Sequence, residues 1–354
     1  MKLNSLSKQK ISLILPIRNE EDYIKRTLTS IIEKNEFNKN IELIIIDGMS
    51  TDRTQDIVQT FIANNEDIDI YLLENIYKTV PYAMNIGIKQ AKGDFIIRLD
   101  AHSIYPDNYI SSLIYWMNKL NADNVGGIVN TIPVNNKFES IAISQAVSNS
   151  FGVGNSKFRT VESGNPMEVD TVPFGCYKKE IFDQIGLYDT DLTRNQDDEL
   201  NARLIQNGGK IFLIPDIKIK YYARDSYSKV SSMFYQYGYF KPLVNLKLKS
   251  AATVRQFIPL IFVLYIILGG LASLVDIRLF YLFIVGLMIY SSVNFYVSYK
   301  ISKRLSTLLL LPYLYKSFLI IHLSYGIGYL KGIVDFLILK KYKKENLSKI
   351  DISR

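Results

Sequence analysis

Two patterns of apolar and polar residues divide the chain near residue 225. Before that point short apolar runs recur: ISLILP at 11–16, IELIIID at 41–47, IDIYLL at 68–73 and DFIIRLD at 94–100. Runs of this length, rich in Ile and Leu, predict strands buried on both faces. Between them the apolar positions take up a helical period. Ile24, Leu28, Ile31 and Ile32 share one face of a helix near 20–33, and Ile57, Val58, Phe61 and Ile62 share one face of a helix near 52–64. Alternating strand and helix implies an α/β fold with a mostly parallel sheet between helices, and such sheets bind ligands beyond the ends of their strands.

After residue 225 the pattern changes to long apolar stretches. Gln256–Val275 and Leu279–Tyr299 carry no charge. At about 1.5 Å per residue each is long enough to cross a hydrocarbon core of roughly 30 Å, so both are expected to span a membrane. Residues 305–339 are also apolar but are interrupted by Pro312, Lys316 and Lys331, which suggests two short tilted spans or one re-entrant or interfacial segment. Charge follows the same division. Residues 1–224 hold 25 Lys+Arg against 29 Asp+Glu, a net of −4, while residues 225–354 hold 17 against 5, a net of +12, which sum to the chain's +8.

The basic residues flank the spans: Lys247, Lys249 and Arg255 before the first, Lys300, Lys303 and Arg304 after the second. By the positive-inside rule both flanks are cytoplasmic, and a cytoplasmic basic tail at 340–354 then requires an even number of crossings. Without an apolar leader at the start, residues 1–250 are expected to stay in the cytoplasm. The basic excess beside membrane spans points to anionic lipid as the partner and not to nucleic acid. A single cysteine, Cys176, excludes an internal disulfide and a cysteine-rich zinc site.

Candidate chemistry gathers at the strand ends. No G-x-G-x-x-G follows the first strand and no Walker A loop occurs. Acids stand there instead: Glu20 past strand one, Asp47 at the end of strand two, Asp100 at the end of strand four. Acids gathered at one sheet edge repel unless a cation or a positive ligand intervenes. Asp100 and His102, two positions apart at a strand end, are expected to point to one side and grip one cation together.

LILPIRNEEDYIKRTLTSI, IIIDGMSTDRT, YAMNIGIKQAKGDFIIRLDAH and NQDDELNARLIQNGG stand in this order along the chain. Together they resemble the family 2 inverting glycosyltransferases with the GT-A fold, and in particular the membrane-anchored glucosyltransferases of succinoglycan-type exopolysaccharide assembly, which share the D-A-H and NQDDELN segments. The resemblance implies a GT-A catalytic domain over residues 1–224, a juxtamembrane segment over 225–255, a membrane region over 256–339 and the tail beyond. It implies a nucleoside pocket lined by Pro16, Arg18, Asn19, Glu20 and Asp47, with Ser50, Asp52 and Asp100 also facing the nucleotide. Asn19 and Glu20 equally suit capping of the following helix, and Asp52 suits ligand contact or the positive end of a helix dipole that Ser50 or Thr51 caps.

The resemblance further implies that the cation held by Asp100 and His102 bridges the diphosphate of a UDP-sugar. The family usually has a second carboxylate where His102 stands, and imidazole favours Mn²⁺ over Mg²⁺. In NQDDELNARL, Asp197 falls at the position of the catalytic base, with Asp198 as its rival, Glu199 as the following acid and Arg203 at the position of the family's arginine; Gln196 replaces its first Glu. Arg224, ahead of the membrane with Gln236, Tyr237 and Lys241, suits contact with the leaving diphosphate or with lipid headgroups. Residues 149–182, rich in Gly, Asn and Ser, are expected to form a mobile acceptor-side loop.

The implied activity is inverting transfer of a sugar, with glucose favoured, from UDP to a hydroxyl of a polyprenyl-linked saccharide, Asp197 removing the hydroxyl proton. A polyprenyl-phosphate glycosyltransferase, with little need of a proton acceptor, is the enzymatic alternative. A nucleotide-sensing membrane scaffold or transport subunit is the alternative of another class.

Overall fold

The computed structural model describes residues 9–35, 39–251 and 254–343. In chain order the elements are β1 (Ile11–Ile17), α1 (Ile24–Glu33), β2 (Ile41–Asp47), α2 (Thr54–Ala63), β3 (Asp69–Glu74), α3 (Val80–Gln90), β4 (Phe95–Arg98), β5 (Ser103–Ile104), α4 (Tyr109–Leu120), β6 (Asn124–Ile132), α5 (Phe138–Val147), α6 (Ser150–Val153), α7 (Lys157–Thr160), β7 (Met167–Glu168), β8 (Cys176–Lys178), α8 (Glu180–Ile185), α9 (Gln196–Gln206), β9 (Ile211–Tyr222), α10 (Tyr227–Leu248), α11 (Ile258–Ala272), α12 (Ile277–Arg304) and α13 (Leu311–Gly332). The chain divides into two compact units, Met1–Asn130 with Lys157–Tyr221 and Thr131–Ser156 with Tyr222–Arg354.

The first unit is built on a sheet of order β3-β2-β1-β4-β8-β6-β9-β5, with β7 also pairing β9. The apolar runs that predict strands form its parallel half: β1 pairs in parallel with β2 and β4, and β2 with β3. Alternate side chains of β4 face opposite layers, so Phe95 and Ile97 join a core with α1 and α4, while Ile96 joins a core with α3 and α9. The other half carries antiparallel pairs, β8 with β4 and β6, and β9 with β5 and β7. Residues 149–182 are therefore not one loop. Cys176–Lys178 is a strand inside the sheet, paired with β4 and β6, and Cys176 is fully buried there.

The second unit is helical. Residues 131–156, expected in the catalytic domain over 1–224, group here because α5 buries Ala142, Ile143, Ala146 and Val147 against Leu314, Phe318 and Ile321 of α13. α10 and α13 pack so closely that Gly238 faces the Tyr325 carbonyl and Gly328 the Tyr235 carbonyl, positions where a Cβ would collide with backbone. Three helical stretches are long and apolar enough to cross a membrane: Val254–Ala272, Ile277–Arg304 and Leu308–Ile338. The third corrects one expectation, since residues 308–338 are one helical run and not two short spans. Pro312 does not break it, because it stands in the first turn of α13 where no amide donor is required. Lys316 lies over the Tyr227 ring and Lys331 pairs with Asp335, so neither charge is left bare. The basic tail from residue 344 onwards lies outside the described residues.

Candidate active site

Three segments of the first unit build the candidate site. At one end the loops after β1 and β2 are laced together. Asp47, buried at the end of β2, accepts hydrogen bonds from Ser50 N at 3.0 Å, Ser50 Oγ at 2.5 Å and Gln55 Nε2 at 2.5 Å. Ser50 Oγ in turn accepts from Asn19 N at 2.9 Å, and Asn19 Oδ1 accepts from Thr51 N at 2.8 Å. Asn19 takes a left-handed conformation, φ 53°, which asparagine tolerates better than most residues. Pro16 lies opposite Ile46 in the β1–β2 register, so Arg18, Asn19 and Glu20 leave the sheet beside Asp47.

The side chains at this end do not cap as expected. At α1 the N-cap position falls on Tyr23, which makes no side-chain cap, and the amides of Tyr23 and Ile24 bond to the Glu20 carbonyl. At α2, Asp52 rather than Ser50 or Thr51 meets the helix start: its Oδ1 accepts from Thr54 N at 3.0 Å and from Thr54 Oγ1 at 2.5 Å. Burial works to raise the Asp52 pKa, but the Thr54 hydroxyl and amide and the Glu21 amide hold the carboxyl below its ordinary value.

The centre of the site follows β4. Asp100 stands just past the strand, and His102 N donates to its Oδ1 at 2.9 Å. This turn, rather than strand alternation, brings the pair together, with His102 Nδ1 3.7 Å from Asp100 Oδ1 and 3.4 Å from Glu20 Oε2. The His102 ring lies 4.6 Å from that of Tyr23, which fixes its tilt. Burial pushes the Asp100 pKa up, but the hydrogen bonds and charge of His102, reinforced by Arg98, reverse this, so the carboxyl ionises well below the usual aspartate range.

The third segment is the start of α9. Asn195, at φ 59°, turns the chain into a helix whose first turn carries Asp197, Asp198 and Glu199, favourable at the positive end of its dipole. The three acids have different surroundings. Glu199 is buried and receives Arg203 Nε at 2.8 Å and Nη2 at 2.7 Å, while the same guanidinium donates to the carbonyls of Ile185 and Leu187 on either side of Gly186. Arg203 thus ties α9 to the end of α8. Asp197 Oδ1 instead receives Nη1 of Arg98, the last residue of β4. Asp198 is half-buried.

Arg98 is the residue that reading by motif overlooks. It is 7% exposed, and its signal is visible in FIIRLD, where one cation interrupts a strand otherwise fit only for the core. It closes β4 two residues before Asp100. Asp197, Arg98, Asp100, His102 and Glu20 are in this way linked by successive contacts or adjacent positions. Arg224 lies in the second unit, after β9.

The donor set suits one kind of metal site. Among the described residues no group of three or more His, Cys, Asp or Glu side chains is arranged to enclose an ion. Asp100 and His102 offer two donors side by side and partly exposed, which fits an ion that draws its other ligands from phosphate oxygens and water.

The sequence matches the profile of Glycosyl transferase family 2 over residues 12–186. It is 32% identical over 240 residues, 66% of this chain and 73% of the relative, to the dolichyl N-acetyl-alpha-D-glucosaminyl phosphate 3-beta-D-2,3-diacetamido-2,3-dideoxy-beta-D-glucuronosyltransferase of Methanococcus voltae. It is 28% identical over 281 residues, 78% of this chain and 82% of the relative, to the succinoglycan biosynthesis protein ExoA of Rhizobium meliloti (strain 1021). The fold is similar to that of the mannosyltransferase PcManGT from Pyrobaculum calidifontis, solved with GDP-Man and Mn²⁺, with a TM-score of 0.60 at 15% identity over 92% of this chain and 88% of that one.

Proposed function

The chain belongs to glycosyl transferase family 2, and from that premise we propose that it moves a sugar, with inversion, from a UDP-sugar to a hydroxyl of a polyprenyl-linked saccharide at the cytoplasmic face of a membrane. The observation that carries the reading is the contact of Asp197 with Arg98, the last residue of the strand that leads into Asp100 and His102. A base from one element and a pair of ligands from another then serve one reacting centre. Asp197 takes the acceptor proton as the acceptor oxygen attacks the anomeric carbon, an assistance typically worth about 10²–10⁴-fold. The electron pair of the broken anomeric bond leaves with the diphosphate, and no covalent sugar intermediate forms.

Asp100 and His102 are the residues that would hold a divalent ion, which when bound supplies charge neutralisation for the departing diphosphate. Imidazole among the donors favours Mn²⁺ over Mg²⁺. Pro16, Arg18, Asn19, Glu20 and Asp47, with Ser50 and Asp52, receive the nucleoside. Asp47 already accepts from Ser50 and Gln55, so its part in base recognition is to shape the loop and to offer the uracil imide the lone pair that remains.

Two considerations favour a hydroxyl acceptor over a lipid phosphate. A positioned carboxylate is needed only where a proton must leave, and the Methanococcus relative is named for adding its sugar at the 3-position of a lipid-linked sugar. Glucose as the donor sugar rests on the likeness to succinoglycan-type enzymes. For the membrane, α11 and α12 present most of their apolar surface outward, whereas the third helix is the most buried of the three by its packing on α10 and α5. This supports two crossings by α11 and α12 with α13 lying at the interface, which keeps both basic flanks on the cytoplasmic side.

The test is to incubate purified enzyme and Mn²⁺ with a panel of labelled UDP-sugars, UDP-glucose first, and with either lipid-linked saccharides or bare polyprenyl phosphate. Label on the saccharide carrier is expected. Label on the bare phosphate would move the assignment to a polyprenyl-phosphate transferase, and tight UDP binding with no transfer to any acceptor would favour a sensor.

A further inference from the structure

Arg98 is a buried cation for which neither strand pairing nor the core gives a reason. Its neighbours along the chain are Phe95, Ile96 and Ile97 of β4 and then Leu99, all buried and apolar. Burying a guanidinium is unfavourable unless it is paired, so a residue of this kind marks a place where the charge is needed. Its Nη1 donates to Asp197 Oδ1, while its Nε is buried and has no hydrogen-bond partner.

The fold has other means of placing α9. Leu200 and Leu204 are buried in the layer that Ile96 also faces. Asn201, fully buried in the second turn, accepts from Asn124 Nδ2 and from Tyr177 OH, both at 2.9 Å, and donates to Thr171 Oγ1 at 2.8 Å. Arg203 binds Glu199 and the carbonyls of Ile185 and Leu187. These contacts hold the helix without any contribution from Arg98. The Arg98 contact instead falls on a side chain of the first turn, part of which is open to solvent, and it engages one carboxylate oxygen only.

We infer that Arg98 is a positioning residue for transfer: it holds Asp197 by Oδ1 and so leaves Oδ2 directed at the acceptor hydroxyl. It also sets Asp197 apart, since Asp197 is the acid of this turn shown to receive the guanidinium of Arg98. In the transfer step the acceptor O–H bond breaks as its oxygen bonds the anomeric carbon, the proton passes to Oδ2, and the electron pair of the cleaved bond goes to the diphosphate. The fork of the guanidinium is rigid where an ammonium is a mobile point charge, which suits arginine to fixing a carboxylate. The inference rests on Asp197 being the base, so its test separates the two.

Steady-state kinetics of R98M, R98K, D197N and the double variant R98M/D197N, with UDP affinity measured directly, make the test. R98M is expected to lower kcat about 10²-fold, the scale of lost orientation at a reacting centre. KM for donor and acceptor and UDP affinity should hardly move. Added to D197N, R98M should cost nothing further, because the group it positions is gone. R98K should recover part of the loss. A kcat of wild-type size in R98M, with D197N inactive, would overturn the positioning role and leave the base intact. Full activity in D197N would overturn the base and the positioning role together. Should R98M not fold, R98K carries the test: kcat about tenfold below wild type at unchanged UDP affinity is expected from losing the fork, and a wild-type kcat would overturn the proposal.

Discussion

β2 and α12 are both mostly apolar and opposite in surroundings. Every residue of β2 is buried within the first unit, down to its terminal Asp47. α12 of the second unit buries only Asn294, Ser298, Ile301 and Ser302, while Leu282, Met288, Ile289 and Tyr296 face outward. In water the second arrangement is unfavourable, since exposed apolar surface of this extent marks a missing partner. The comparison teaches that one unit meets its apolar demand from within, while the other leaves it on helices long and apolar enough to cross a membrane. The polar groups follow: in the first unit they collect at the strand ends of the candidate site, and in the second the basic residues collect beside the apolar helices.

Substitutions and conditions that act on one side only sharpen this comparison. The largest effect is expected at the strand ends. Removing divalent metal with a chelator, or replacing Asp100 with Asn, should reduce transfer by at least about 10²-fold while leaving the melting temperature of the first unit nearly unchanged. Activity restored better by Mn²⁺ than by Mg²⁺ would support His102 as a ligand, and activity indifferent to chelator would remove the metal from the account.

Next in size, Ile44→Ala in the sheet should destabilise the first unit by about 2–5 kcal/mol, the cost of a cavity in a closed core, read by thermal or denaturant unfolding. On the other side, Ile289→Arg places a charge on the outward face of α12 and should oppose membrane insertion by about 3 kcal/mol. Its readout is the fraction of protein remaining in the membrane after alkaline extraction. If Ile289→Arg stayed fully inserted, the bilayer half of the comparison would break.

The smallest effect concerns Asp52. Because its folded pKa is lowered, the stability it contributes is fully present above the unfolded value of 3.8 and is lost as pH falls through the folded value. Asp52→Asn should therefore flatten the acid limb of a plot of melting temperature against pH and leave the neutral region almost unchanged. Because Asp52 is partly exposed, solvent screens much of the interaction, and the change should be small.

The parallel half of the sheet was legible because β1 to β4 fall on short runs rich in Ile and Leu, and their observed limits differ from those runs by a residue or a few, although β3 at the sheet edge is partly exposed and not buried on both faces. The antiparallel half was not. β6 contains two adjacent glycines and β8 is three residues long inside a Gly-rich stretch, so neither shows a periodicity long enough to read, while β9 alternates from Asp216 to Lys220 but carries Pro215, which reads as a strand break. The long apolar helices were legible by length, but Pro312, Lys316 and Lys331 read as breaks because their local solutions depend on Tyr227, Asp335 and the position of the proline in its helix. At the candidate site, motif spacing pointed to Asp100, His102 and Asp197. It gave no sign that Arg203 ties Glu199 to α8, or that Arg98 reaches Asp197, since both contacts depend on how α9 crosses the sheet.

Transfer and nucleotide binding compared in Asp197→Asn test the central claim most directly. The account predicts that the variant binds UDP and Mn²⁺ as the wild type does, yet labels a lipid-linked saccharide about 10²–10⁴-fold more slowly. Undiminished labelling by Asp197→Asn, at unchanged UDP affinity, would contradict it.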